Sequence, residues 1–153
     1  MQRNVARPRT ALALVVASTV LGLMGTDLVL PAVPSLPEAL GGGAAEAQLV
    51  LAAYVAGTCA GLLAFGALGD RFDTRTLFSA SLLLTAITSI ACAWSTGIWS
   101  LIGLRTAQGA FAAGPAVFAP AIVRAVFDEQ RAIRAIGALG SIESLAPALA
   151  PIL

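Results

Sequence analysis

Residues 66–75 read Gly66-Ala67-Leu68-Gly69-Asp70-Arg71-Phe72-Asp73-Thr74-Arg75 and lie between two long apolar runs. The two glycines allow the backbone to turn at the end of a helix, and an aspartate follows the turn. Two arginines then place positive charge where the chain leaves an apolar environment, which is typical of loops at a membrane surface. The stretch therefore predicts a short polar loop that joins two membrane-spanning helices.

The composition of the 153-residue chain also indicates a membrane protein. Hydrophobic residues make up 58% of the sequence, charged residues make up 11%, and the mean hydropathy is +0.90. This is too little charge to solvate the surface of a soluble globular domain. The net charge is +1 and the basic residues form no block, which argues against a nucleic-acid partner.

Residue types that usually hold metals or perform catalysis are scarce. The sequence contains no histidine, and Cys59 and Cys92 lie inside apolar runs, where cysteine is usually a small buried hydrophobe. The sequence has neither a Cys/His cluster nor a glycine-rich phosphate-binding loop. We therefore expect no cofactor, no metal site and no enzymatic reaction.

Polar interruptions divide the chain into five candidate membrane spans of about 20 residues each. The spans cover approximately residues 10–30, 47–66, 76–94, 98–123 and 135–153, and the last is incomplete. The first resembles a secretion signal because arginines precede it. It is longer than the apolar part of such a signal, contains Asp27 and precedes four more spans, so we interpret it as a retained helix.

The arginines predict how the chain is oriented in the membrane. Eight of them precede span one or lie between spans two and three or spans four and five: Arg3, Arg7, Arg9, Arg71, Arg75, Arg124, Arg131 and Arg134. The loops of residues 31–46 and 95–97 contain no basic residue. Because basic loops stay on the cytoplasmic side, we expect a cytoplasmic N-terminus.

Small residues and prolines suggest how the spans pack. Ala53, Gly57 and Gly61 recur every four residues in span two and predict that another helix approaches closely. Pro115 and Pro120 predict a bend in span four. Three prolines and three consecutive glycines predict an external loop over residues 31–46.

Asp27 and Arg105 are charged residues inside predicted spans, where an ionised side chain costs about 3 kcal/mol. At about 1.5 Å per residue, Asp27 lies about 25 Å from the cytoplasmic end of span one, and Arg105 about 10 Å from the outer end of span four. Both belong to the outer half of the membrane, so our hypothesis is that they pair. A proton on Asp27 would end the attraction and switch Arg105 to another partner. The alternative is a static ion pair that fixes helix packing.

Glu143 is a third intramembrane charge, about 12 Å into span five. With no basic residue near it in sequence, it is expected either to be protonated or to face a water-filled cavity. An ionised Glu143 in a cavity would attract cationic, lipophilic compounds, and a titrating one would offer a second proton site. The alternative is a neutral acid that donates a hydrogen bond to a backbone carbonyl.

The loop of residues 66–75 resembles the loop between the second and third spans of major facilitator superfamily transporters. That pattern reads Gly, any, Leu, small, Asp, Arg, any, Gly, Arg, then Arg or Lys. The residues that satisfy it are Gly66, Leu68, Gly69, Asp70, Arg71 and Arg75, whereas Asp73 and Thr74 depart from it. Arg105-Thr106-Ala107-Gln108-Gly109 in span four is similar to the superfamily pattern Arg, any, any, Gln, Gly.

Three further stretches resemble the twelve-span drug/proton antiporters of the bicyclomycin and chloramphenicol resistance type. Residues 26–34 close span one as Thr-Asp-Leu-Val-Leu-Pro-Ala-Val-Pro, and residues 121–124 close span four as Ala-Ile-Val-Arg. Ala125 stands where relatives usually have an acid. Residues 146–151, Ala-Pro-Ala-Leu-Ala-Pro, resemble the fifth-span antiporter motif, in which Pro147 and Pro151 would bend the helix.

The resemblance implies an all-α membrane protein in which residues 1–153 form the first five spans of a six-helix half. It further implies transport through a central cavity that opens to each side in turn, driven by the proton gradient. Asp27 and Arg105 would couple protons, and Glu143 and Gln108 would line the substrate cavity. Gly66, Asp70, Arg71 and Arg75, which we call the latch loop, would hold the two halves together on the cytoplasmic face. Asp73 in place of glycine would weaken that contact.

We therefore expect proton-coupled efflux of small lipophilic or cationic drugs across the bacterial inner membrane. The partners are the drug, protons and the lipid bilayer, and a full transport cycle needs the missing C-terminal half. One alternative is a metabolite transporter of the same fold, because substrate choice depends on cavity side chains. Another is a truncated membrane fragment that transports nothing.

Overall fold

The computed structural model describes residues 29–149, without the side chains of residues 30, 138, 139 and 142–149. These residues form helices and, within that range, no β-strand. The helices are, in chain order, a 3₁₀ helix over Leu30–Ser35, α1 over Leu36–Leu40, α2 over Ala44–Gly69, α3 over Thr74–Ala93, α4 over Ile98–Val126 and α5 over Glu129–Leu149. The predicted all-α fold class is confirmed.

Within the described residues, α2, α3 and α4 are long and apolar enough to cross a membrane. They correspond to the predicted spans 47–66, 76–94 and 98–123. The helix α5 begins at Glu129, before the predicted start of span five at residue 135. Span boundaries read from hydropathy miss these helix starts because acids such as Glu46 and Glu129 make the first turns polar. The helix N-terminus stabilises such acids, so the helix still begins there. Span one lies outside the described residues except for its last two positions.

The predicted external loop is more ordered than its prolines and glycines suggested. Residues 30–40 form the 3₁₀ helix and α1, and proline occupies the first turn of each. Proline suits this position because the first helical N–H groups have no partner within the helix. Gly41 and Gly42 then separate α1 from α2 with φ angles of 76° and 93°. The predicted loop over residues 31–46 therefore contains two short helices.

The helix end at the latch loop also differs from the prediction. Among the described glycines, only Gly41 and Gly42 have positive φ angles. Gly66 lies inside α2, and Gly69 is its last residue. The helix ends in an ordinary right-handed turn at Asp70, with φ of −75°. The turning role that we assigned to Gly66 and Gly69 is therefore wrong.

The helix α4 lies between α2 and α3. It packs against both along much of their length, whereas α2 and α3 barely touch each other. Successive contacts pair increasing residue numbers on α2 and α4, so these two helices run parallel, and α3 runs antiparallel to both. Residues on α4 are therefore the ones that both neighbours can position.

Apolar clusters hold the two ends of this arrangement. At the end where α2 and α4 begin, the cluster contains Ala47, Val50, Ile98 and Leu101, and residues of the 3₁₀ helix and α1 pack against it. At the opposite end, Phe118 of α4 packs with two residues of α3 and makes an edge-to-face contact with Phe65, at 5.9 Å between ring centroids. The outer faces stay apolar and open, as expected for helices that contact lipid.

Candidate functional site

Arg105 is the buried arginine of the described structure. Only 9% of its surface is exposed, whereas the other described arginines are all exposed: Arg71, Arg75, Arg124, Arg131 and Arg134. It lies about 10 Å into α4 from the end at Ile98, since a helix rises 1.5 Å per residue. Burying a guanidinium costs several kcal/mol unless the site compensates the charge, so this position calls for a specific environment.

Gln108, one turn further along α4, connects this helix to α3. Its Nε2 donates a hydrogen bond to Ser89 Oγ at 2.7 Å, and its Oε1 accepts from Cys92 Sγ at 3.7 Å. Both polar ends of the buried amide are therefore engaged by α3. The structure brings the two predicted residues Arg105 and Gln108 together and shows that Gln108 also contacts a neighbouring helix.

The hydroxyl groups of α3 are satisfied by their own backbone. Ser89 Oγ donates to the Thr85 carbonyl at 2.7 Å, and Thr88 Oγ1 donates to the Leu84 carbonyl at 2.8 Å. A hydroxyl has one proton but two lone pairs, so a serine that donates to its backbone still accepts from another residue. This leaves the Ser89 oxygen available to the Gln108 amide.

Glycines bring the backbones of α2 and α4 into contact beside Arg105. A Cβ atom on Gly57 would overlap the Thr106 carbonyl oxygen, and one on Gly61 would overlap that of Ala110. In the reverse direction, a Cβ on Gly109 would overlap the Tyr54 carbonyl oxygen. The predicted close approach along the small-residue stripe of span two is therefore confirmed. It fixes α4, and with it Arg105, against α2.

The chain reaches this site from span one. Val29 packs against the apolar cluster that contains Leu101, with Ile102 as a neighbour. These two α4 residues lie one turn before Arg105. Asp27 lies outside the described residues, so the structure describes no contact of its carboxylate.

Three other predicted positions lie on or beyond α5. Glu143 and Pro147 belong to this helix, but their side chains are not among those described. Pro151 lies outside the described residues. The helix continues past Pro147 to Leu149.

The latch loop is exposed at the end of the helices opposite the Gly97 turn. Asp70, Arg71 and Arg75 form no ion pair within residues 29–149. Asp73, which departs from the superfamily pattern, caps α3: its Oδ2 accepts from the Arg75 and Thr76 N–H groups at 3.2 and 3.3 Å. Its carboxylate has a local structural role, since such a cap satisfies N–H groups that the helix leaves open.

Ser89 and Cys92 are the site residues that sequence reasoning missed. Cys92 was interpreted as a small buried hydrophobe, yet it is half-buried and its thiol lies within electrostatic range of Arg105. Their spacing of three residues puts both on one face of α3. A buried glutamine in an apolar span needs hydrogen-bond partners. Gln108 in span four was therefore the sequence signal for polar residues such as Ser89 and Cys92 on a neighbouring helix.

A separate cavity of about 470 Å³ lies where α4 meets α5. It is lined by Arg124, Phe127, Glu129, Ala132 and Ile133. Of the described residues predicted for the cavity or for proton coupling, Arg105 and Gln108 do not line it. It is therefore distinct from the cluster around Arg105.

Comparison with known proteins shows the family of the chain. Residues 15–153 match the Major Facilitator Superfamily. The chain belongs to this superfamily. Its members are transporters, so the chain is part of an integral, multi-pass membrane protein of a transporter family and not of an enzyme family.

Curated superfamily relatives resemble most of the chain. A chloramphenicol resistance protein of Pseudomonas aeruginosa is 35% identical over 87% of this chain and 32% of its own length. The MFS-type transporter YdgK of Bacillus subtilis, whose function is uncharacterized, is 32% identical over 95% of this chain and 36% of its own length. The multidrug resistance protein MdtL of Klebsiella pneumoniae is 31% identical over 84% and 33%, respectively. The chain therefore spans about a third of the length of these relatives.

Proposed function

We propose that this chain is the N-terminal part of a proton-coupled transporter that exports small lipophilic or cationic drugs. The observation that carries the proposal is the buried guanidinium of Arg105 on the central helix α4, enclosed by α2 and α3. Charges inside membrane spans are costly and usually serve a transport pathway or a proton relay. Relatives named for chloramphenicol and multidrug resistance support drugs as the substrate class.

Asp27 is the proposed proton-binding partner of Arg105. Val29 follows it by two residues and packs against the apolar cluster that contains Leu101, one turn before Arg105, which supports a short distance between the two charges. With Asp27 ionised, the two side chains attract each other. With Asp27 protonated, the attraction is lost and the helices favour a different packing. Each proton taken up or released would therefore bias the transporter toward one side of the membrane.

The experiment compares Asp27→Asn with wild type in a complete transporter that contains this chain. In proteoliposomes, a pH gradient should drive drug accumulation by wild type, and Asp27→Asn should abolish this while drug-for-drug exchange persists. Exchange needs no change in protonation, so it separates coupling from folding. Glu38→Gln is the matched control, because Glu38 is an exposed acid on α1. Unchanged accumulation by Asp27→Asn would remove Asp27 from the mechanism.

Glu143 is the proposed attraction site for cationic drugs. A carboxylate that faces a water-filled cavity would favour a cation over a neutral molecule of similar size. Glu143→Gln should therefore lower resistance to cationic drugs more than resistance to neutral ones. Equal losses for both classes would argue against charge attraction.

The metabolite-transporter alternative predicts a different result for Asp27→Asn. This variant would then keep full drug resistance but fail to move a metabolite.

The latch loop is proposed to contact the second half of the transporter at the cytoplasmic face. Asp70, Arg71 and Arg75 are exposed and form no ion pair in the part of the chain that the structure describes. They are therefore available to another segment. An aspartate is stabilised at the positive N-terminus of a helix, which makes such a helix a suitable partner for Asp70. In the same proposal, Pro147 and Pro151 bend span five, and the N-terminus is cytoplasmic.

A further inference from the structure

We propose that Ser89 and Cys92 of α3 are positioning residues for proton coupling, and we call this pair the α3 clamp. The clamp holds the Gln108 amide against α3 and so limits how far its carbonyl oxygen turns toward Arg105. This proposal rests on the proposed function, in which Arg105 takes part in proton coupling. It adds two residues on a different helix to that mechanism.

The geometry assigns each end of the amide to one member of the clamp. Gln108 Nε2 donates to Ser89 Oγ at 2.7 Å, and Cys92 Sγ donates to Gln108 Oε1 at 3.7 Å. The first is a short, strong contact, and the second is a weak one of the kind that thiols make. Two contacts at opposite ends of a planar amide define its orientation, because rotation of the amide would break both.

Orientation matters because Gln108 and Arg105 are neighbours on the same helix face. Residues three apart on a helix are close enough for their side chains to meet. A guanidinium has only donors, and the Gln108 side chain offers a carbonyl acceptor one turn away on the same helix. The terminal torsion of a glutamine rotates over a broad range, so an unclamped amide would turn that oxygen toward Arg105.

If Gln108 also accepted a hydrogen bond from Arg105, protonation of Asp27 would change the interactions of Arg105 less. A guanidinium already bonded to Gln108 loses less when a carboxylate partner takes up a proton, so the two packings differ less in free energy. On α3, the Cys92 thiol lies within electrostatic range of Arg105. Its contact with Gln108 Oε1 adds to the Ser89 hydrogen bond in holding that oxygen toward α3.

The first test separates driven transport from exchange in the full-length transporter in proteoliposomes. Ser89→Ala should lower drug accumulation driven by a pH gradient about 3- to 10-fold, as expected for loss of one hydrogen bond. Drug-for-drug exchange should stay within about twofold of wild type. Ser89→Thr keeps the acceptor oxygen and should retain driven accumulation. Ser79→Ala is the matched control, because Ser79 is an exposed serine on the same helix.

The second test measures the contact itself in the 153-residue chain in detergent micelles. With Cys59→Ser as background, a maleimide should label Cys92 about 3-fold faster in Gln108→Leu than with Gln108 present, because the thiol loses its acceptor. Leucine has a similar size, which limits changes in access. This measurement requires no transport activity.

Two results would overturn the proposal: equal losses of driven transport and exchange in Ser89→Ala, or a Cys92 labelling rate that Gln108→Leu leaves unchanged. The first would mean that Ser89 serves only folding, and the second that the thiol does not engage the amide. Failure of the proposed function has a different signature. In that case Asp27→Asn would retain driven accumulation, whereas the labelling result would stay as expected.

Discussion

The contact between α2 and α4 predicts that adding one methyl group at Gly57 destabilises the helix packing. A Cβ atom at this position would lie 2.8 Å from the Thr106 carbonyl carbon and 3.0 Å from its Cα, and would overlap the carbonyl oxygen. Carbon atoms that are not bonded prefer about 3.5–4.0 Å. The obstacle is backbone, which cannot rotate away, so Gly57→Ala must push the two helices apart by about 1 Å.

The magnitude follows from two opposing effects. Overpacking of a tight interface costs about 1–3 kcal/mol. Alanine in place of glycine favours a helix by about 1 kcal/mol, and this gain is the same wherever the helix is undisturbed. Gly66 supplies the matched control, because it lies in the same helix and a Cβ there would meet nothing within 4 Å. Gly57→Ala should therefore be about 1–3 kcal/mol less stable than Gly66→Ala.

Thermal unfolding in mild detergent provides the assay. A thiol-reactive dye reports exposure of the half-buried Cys92 as α3 separates from α4, with Cys59→Ser as background. For a chain of this size, 1 kcal/mol corresponds to about 2–4 °C in Tm, so Gly57→Ala, at about 1–3 kcal/mol, should unfold about 2–12 °C below Gly66→Ala. Gly66→Ala should match or exceed the parent. Equal Tm values for the two variants would refute the close backbone contact on which the prediction depends.

Three further predictions use the same unfolding assay. Asp73→Ala should cost about 1 kcal/mol because α3 loses its N-cap, while Asp73→Ser should retain most of the stability; identical losses would contradict the capping role. Gly41→Ala should cost about 1–3 kcal/mol although the space around Gly41 is open, because its φ of 76° strains any residue with a side chain. An unchanged stability would show that the backbone there relaxes freely. Gly114→Ala should be destabilising because its Cβ would overlap the side chain of Ser81, and adding Ser81→Gly should recover the loss; a double variant no better than the single one would disprove this pairing.

Several parts of the site followed from local sequence. The small-residue stripe of span two predicted a close helix contact, and Gly57 and Gly61 both make one. Arg105 was singled out because charge is rare in an apolar span, and it is buried on the central helix. These predictions succeeded because a glycine or a charge in such a span has the same physical consequence whichever helix faces it.

Other parts depended on which residues face one another across helices. Ser89 and Cys92 precede Gln108 by 19 and 16 residues, and nothing in their immediate sequence points to a polar contact. Asp73 looked like a departure from a family pattern, but its neighbours Arg75 and Thr76 show it to be a helix cap. Gly66 and Gly69, in contrast, needed no special backbone conformation.

The sequence by itself determined that this is a helical membrane protein of the major facilitator superfamily, because composition and short loop motifs report on the surroundings of each segment. The tertiary structure alone decided that α4 lies between α2 and α3, and that Gln108 turns toward α3. In soluble proteins the polar face of a helix reveals its orientation. Membrane helices are apolar on nearly every side, so their rotation and neighbours are set by packing of small residues and by a few buried polar contacts.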